Sequence, residues 1–171
     1  MRRIFLPLLL FLFFTIESIF VLLLPSETFM DKWILVPRFL IAVLMLFAVY
    51  GKQKQAIIYG FAFGLLFDMV YTEIIGVYLF LFPLTIAFVS RLMKVFHANA
   101  LVVIVAILAG ISALEIVIYK LNHFIGITEM PFSAFAEVRL LPVIVLNLLF
   151  LAVAFYPLRR FFEKLAQDEG L

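Results

Sequence analysis

The stretch Asn99–Tyr119 reads NALVVIVAILAGISALEIVIY, with Glu115 its only charge. A helix on the surface of a soluble protein carries an apolar stripe and a polar face. This one is apolar all round for about 20 residues, the length that crosses roughly 30 Å of hydrocarbon. The same character recurs on either side of it. The chain is 67% hydrophobic and 14% charged, with a mean hydropathy of +1.26, and its charges fall in short clusters between long apolar runs. These patterns predict an all-α integral membrane protein, and its function has to be sought in membrane terms.

Six spans are expected in one bundle, forming a single domain over residues 1–171: Ile4–Leu24, Ile34–Tyr50, Ala56–Tyr71, Val77–Ser90, Asn99–Tyr119 and Leu140–Pro157. The third and fourth are short for a bilayer, so they extend into their loops or sit where the membrane thins. Gly51–Gln55 and Thr72–Gly76 are short connections and make their neighbours antiparallel. Lys120–Arg139 is the one long connection. Arg2 and Arg3 before an apolar run can open a signal peptide. The run is long, contains Glu17, and Leu24-Pro25-Ser26 is a poor cleavage site, so an uncleaved first span is expected. Basic residues set the orientation. Arg2, Arg3, Lys52, Lys54, Arg91, Lys94, Arg159, Arg160 and Lys164 lie at one set of ends, against Lys32, Arg38, Lys120 and Arg139 at the other. The positive-inside pattern then places both termini in the cytoplasm.

Prolines mark the joints. Pro25 ends the first span, and Pro37 and Pro131 sit near helix starts, where a missing N–H matters little. Pro83 and Pro142 lie inside spans and predict kinks. The segment Pro131–Leu140 is too polar to span and reads as a short helix on the outer surface or as a frayed helix end. Arg159–Gln167 reads either as an equivalent helix inside or as a frayed helix end.

Composition removes many functions. There are no cysteines, which excludes disulfides, thiol nucleophiles and cysteine metal sites. The two histidines, His97 and His123, have no ligand partner at metal spacing. No HExxH, Walker motif or serine–histidine arrangement is present. No catalytic residue, metal or cofactor is therefore expected. The formal charge of +2 reflects cytoplasmic loops rather than nucleic-acid binding. The 22 phenylalanines suit a lipid-facing surface.

Three carboxylates, Glu17, Asp68 and Glu115, fall within spans. A charge there normally faces protein or water. In the expected orientation all three lie in the outer half, as do Arg38 and Arg139, so these five form a candidate outer-half polar cluster. The alternative is snorkelling at the interface without specific partners. Asp68, just before a tight outer turn, can accept hydrogen bonds from the N–H groups opening the next span, or pair with Arg38. Gly60 and Gly64 share a helix face and let another backbone approach closely. Gly76, which opens the next span, is grouped with them as a packing glycine.

The run Gly60-Phe-Ala-Phe-Gly64-Leu-Leu-Phe-Asp68, then Gly76-Val77-Tyr78, follows Pro37-Arg38-Phe39-Leu40. This pattern resembles the MreD family of rod shape-determining proteins, in its Gram-positive, Bacillus-like form. Phe14–Ser18 and Phe96-His97-x-Asn99-Ala100 extend the resemblance over nearly the whole chain. The resemblance implies a non-enzymatic component of the cell-elongation machinery in the bacterial cytoplasmic membrane. Such a protein binds MreC, and with it links MreB filaments to peptidoglycan synthesis by RodA and a class B penicillin-binding protein. A homodimer is also compatible with it. The family is similar in span count and glycine-rich helices to substrate-binding subunits of energy-coupling-factor vitamin transporters. A transporter subunit is therefore the alternative.

Overall fold

The computed structural model describes residues 2–23, 33–72, 74–96 and 99–168. Expectations resting on Leu24, Pro25, Ser26, Lys32 and His97, and on the side chains of Arg2 and Arg3, fall outside these residues. The described elements are helical: α1 (Arg2–Leu23), α2 (Phe39–Tyr50), α3 (Gln53–Tyr71), α4 (Val77–Val95), α5 (Ala100–Ile125), α6 (Phe132–Phe135), a π-turn (Ala136–Leu140) and α7 (Leu141–Asp168).

The most apolar helix lies at the centre. α2 reads FLIAVLMLFAVY, and each residue from Phe39 to Ala48 is buried. A helix with no polar face has to be covered on all sides, and α1, α3, α4, α5 and α7 all pack against it. At twelve residues it is only about 18 Å long. Its expected start at Ile34 is not observed, and the chain from Trp33 to Arg38 is non-helical. Pro37 accounts for this, because a proline disfavours helical geometry in the residue before it.

Four helical stretches are long and apolar enough to cross a membrane: Phe5–Leu23, Val77–Val95, Ala100–Ile125 and Phe132–Gln167. Four of the six expected spans thus meet this criterion among the described residues. α2 is shorter, and α3 carries Lys54, two glutamines and Asp68. α3 and α4 do run into their flanking segments, starting at Gln53 and ending at Val95. Most outward faces carry large apolar side chains, among them Phe11, Phe80, Phe88, Leu101 and Val153.

The separate surface helix expected over Pro131–Leu140 is not present. α6 continues through the π-turn into α7, and Phe135 is buried with its ring stacked 4.2 Å from Tyr119. Pro142 lies inside this continuous helix, directly after the π-turn. It has no N–H to offer the carbonyl of Val138 four residues back, and that carbonyl accepts the N–H of Ile34 at 2.8 Å. The polar segment Arg159–Gln167 continues α7 and packs on the bundle, with Phe162 buried against Phe47.

Candidate functional site

Five helix ends meet at one end of the bundle: the starts of α2, α4 and α7 and the ends of α3 and α5. Helix N-termini expose N–H groups with no partner inside the helix. α2 and α4 both lack a side-chain cap of their own. Their donors are met by side chains of neighbouring helices. Glu17 of α1 accepts the N–H of Leu40 at 3.2 Å. Asn147 of α7 accepts the N–H of Arg38 at 3.0 Å and donates to the carbonyl of Val143 at 2.8 Å. Asp68 of α3 caps α4 with both oxygens: Oδ2 accepts from Gly76 at 2.8 Å and Leu79 at 2.9 Å, and Oδ1 accepts from Tyr78 at 2.8 Å. Negative charge is favoured at such an end.

The basic residues organise around Glu115. Arg38 donates from Nε to Glu115 Oε1 at 2.6 Å and from Nη2 to the Tyr78 hydroxyl at 2.9 Å. Arg139 donates from Nε to Glu115 Oε2 at 2.9 Å. Charge-assisted bonds of this length are the strong kind. The Arg38 and Glu115 side chains are 3% and 0% exposed, whereas Arg139 is 28% exposed, so only Arg139 reaches beyond the core. The Tyr71 hydroxyl bonds to Ser18, joining α3 to α1.

The five cluster residues therefore divide. Arg38, Glu115 and Arg139 touch directly. Glu17 joins them through α2's backbone. Asp68 is bonded to the start of α4 and to Thr72, not to Arg38. Gly60 and Gly64 sit against α4. A Cβ at Gly64 would lie 2.8 Å from the Tyr78 carbonyl carbon and 3.0 Å from Leu79 Cα, and one at Gly60 would lie 3.3 Å from Pro83 Cα. Gly76 is not a packing glycine. Its φ is +120°, and the nearest atom a Cβ would meet is 3.9 Å away, on Phe80. It serves the turn before α4, a backbone shape that glycine adopts freely. Asn147 and Tyr78 were missed as partners by sequence reasoning. Asn147 had a signal, as the one amide within the apolar run VIVLNLLF. Among the described residues no three metal-ligating side chains cluster.

A cavity of about 370 Å³ opens beside this network, lined by Glu17, Arg38, Arg139, Phe67, Tyr71 and Tyr78 together with Val21 and the segment Ile34–Pro37. A second, of about 390 Å³, shares Tyr71, Tyr78 and Arg139 with it.

The family described as rod shape-determining protein MreD matches residues 1–165. The rod shape-determining protein MreD of Bacillus subtilis (strain 168) is 38% identical over 168 residues, covering 98% of each chain. The cell shape-determining protein MreD of Streptococcus pneumoniae (strain R6) is 28% identical over 119 residues, covering 70% of this chain and 73% of that one. No solved structure matches the chain significantly.

Proposed function

Since the chain belongs to the MreD family of rod shape-determining proteins and has a role in cell shape, we propose that it is a non-enzymatic scaffold of the cell-elongation machinery. In this reading it binds MreC and helps couple MreB filaments to peptidoglycan synthesis by RodA and a class B penicillin-binding protein. It sits in the bacterial cytoplasmic membrane with both termini inside, α2 and α3 completing six crossings. A second copy of the chain is a further candidate partner.

The observation that supports this reading is where the polar groups lie. Arg38, Glu115, Asp68 and Asn147 are bonded to one another or to helix ends inside the bundle. What faces outward is largely apolar, including Phe80, Leu84 and Phe88 on α4 and Leu149 and Val153 on α7. A protein built this way meets partners through helix faces and short loops. The alternative, a substrate-binding subunit of a small-molecule transporter, draws on the cavity beside Glu17 and Arg38.

Copurification from native membranes, with mass spectrometry of both proteins and small molecules, separates the two. The scaffold reading expects MreC at stoichiometric yield. A vitamin-like molecule bound one to one, with no such partner protein, would overturn it.

A further inference from the structure

The cavity of about 370 Å³ falls within the range of small-molecule sites, about 300–1,000 Å³. Several groups lining it have hydrogen-bonding capacity that the described residues leave unused. Arg139 uses its Nε on Glu115, while its two Nη groups bond to no atom of the described residues. Glu17 is 3% exposed and uses Oε2 on the Leu40 N–H, while Oε1 has no partner among the described residues. The backbone N–H groups of Leu35 and Val36 are likewise unbonded among the described residues, unlike that of Ile34. Buried polar groups are ordinarily satisfied, and non-helical backbone at membrane depth is tolerated where it lines a cavity.

We propose that this cavity binds a zwitterionic aminophosphate headgroup, its phosphate at Arg139 and the Leu35–Val36 backbone and its ammonium at Glu17. A simple anion would face the Glu17 carboxylate, and a simple cation would face two guanidinium groups. A zwitterion satisfies both. The rings of Phe67 and Tyr71 also line the cavity, and aromatic faces attract an ammonium. Wall residues such as Val21 and Pro37 suit the glycerol and first acyl carbons of a lipid. The site is argued from the cavity alone and does not depend on the scaffold role, so loss of MreC copurification leaves it standing.

Native mass spectrometry of the full-length protein, titrated separately with phosphatidylethanolamine, phosphatidylglycerol and phosphatidylcholine, tests it. Phosphatidylethanolamine should bind one to one and about tenfold more tightly than the other two, the difference expected of one charge-assisted bond. Glu17→Gln keeps an acceptor for Leu40 and removes the negative charge. It should lower phosphatidylethanolamine to the level of phosphatidylglycerol in protein that still folds. If that variant fails to fold, the comparison of the three lipids on the unmodified protein decides. Soluble glycerophosphoethanolamine that displaces the lipid marks a site open to free headgroups, and retention of the lipid marks one filled from the bilayer. Both support the aminophosphate chemistry. Equal binding of the three lipids, a folded Glu17→Gln that keeps the preference, or a different small molecule that phosphatidylethanolamine cannot displace would each overturn it.

Discussion

Glu115 holds the only fully buried charge pair of the cluster, and its two partners are not equivalent. Arg38 is enclosed with it, whereas Arg139 is 28% exposed. Removing one member of a buried pair leaves an uncompensated charge and costs about 3–5 kcal/mol. Glu115→Gln strands Arg38 and should lower the melting temperature in detergent far more than Arg139→Gln, whose loss leaves the Arg38–Glu115 bond in place. Equal losses would show that the Arg38 bond does not form. Asp68 gives a second residue-scale test. Both of its oxygens accept backbone N–H groups. Asparagine retains one oxygen and turns an amide nitrogen toward the other donors, while leucine strands all three. Each stranded donor costs about 1–3 kcal/mol. Asp68→Asn should therefore be partly destabilising and Asp68→Leu more so, read as thermal stability and as rescue of cell shape. Full loss of shape with Asp68→Asn at normal protein level and stability would point instead to a titrating role.

That these residues need partners is legible in the sequence, because a charge in an apolar run has to be satisfied inside the protein. Which partners they find is not. Asp68 and Arg38 are both near the same bundle end, and sequence allows them to pair. The three donors at the start of α4 sit closer to the Asp68 carboxylate, and Glu115 takes Arg38. At the scale of elements, the start of α2 shows the same limit. Hydropathy extends it back to Ile34, but helix ends are set by where the orphan N–H groups find acceptors. Here the acceptors are Glu17 and Asn147, on other helices. The glycines of α3 were legible as small residues on one face, though not their ranking. At Gly64 an added Cβ meets the backbone of Tyr78 and Leu79, which cannot swing aside. At Gly60 the closest atom is the movable tip of Ile86, at 2.7 Å. Overpacking of this kind costs about 1–3 kcal/mol. Gly64→Ala should therefore lower the melting temperature more than Gly60→Ala, and isoleucine should be worse than alanine at both. If neither isoleucine variant changes yield or stability, α3 and α4 are not in contact there.

For the whole molecule, the hydrogen bonds already distinguish two ends. Glu17, Arg38, Asp68, Glu115 and Arg139 gather where α2, α4 and α7 begin and α3 and α5 finish. The opposite end joins the last residue of α2 to α7 through Arg159, which lies 4.9 Å over the Tyr50 ring. That second end also carries Lys52, Lys54, Arg91, Lys94, Arg160 and Lys164. Basic loops are held on the cytoplasmic side, so the polar cluster and its cavity should face outward. The chain has no cysteine, which gives a clean background for labelling. A cysteine replacing Thr128, in the connection after α5, should react with an impermeant thiol reagent added to intact cells. One replacing Gln53, at the start of α3, should react only after the membrane is opened. Thr128 and Gln53 belong to opposite ends of the bundle, so each serves as the control for the other. Labelling of Gln53→Cys from outside, with Thr128→Cys protected, would invert the molecule and put the cavity on the cytoplasmic face. Labelling of both from outside would mean that the α3–α5 segment does not cross the membrane an odd number of times.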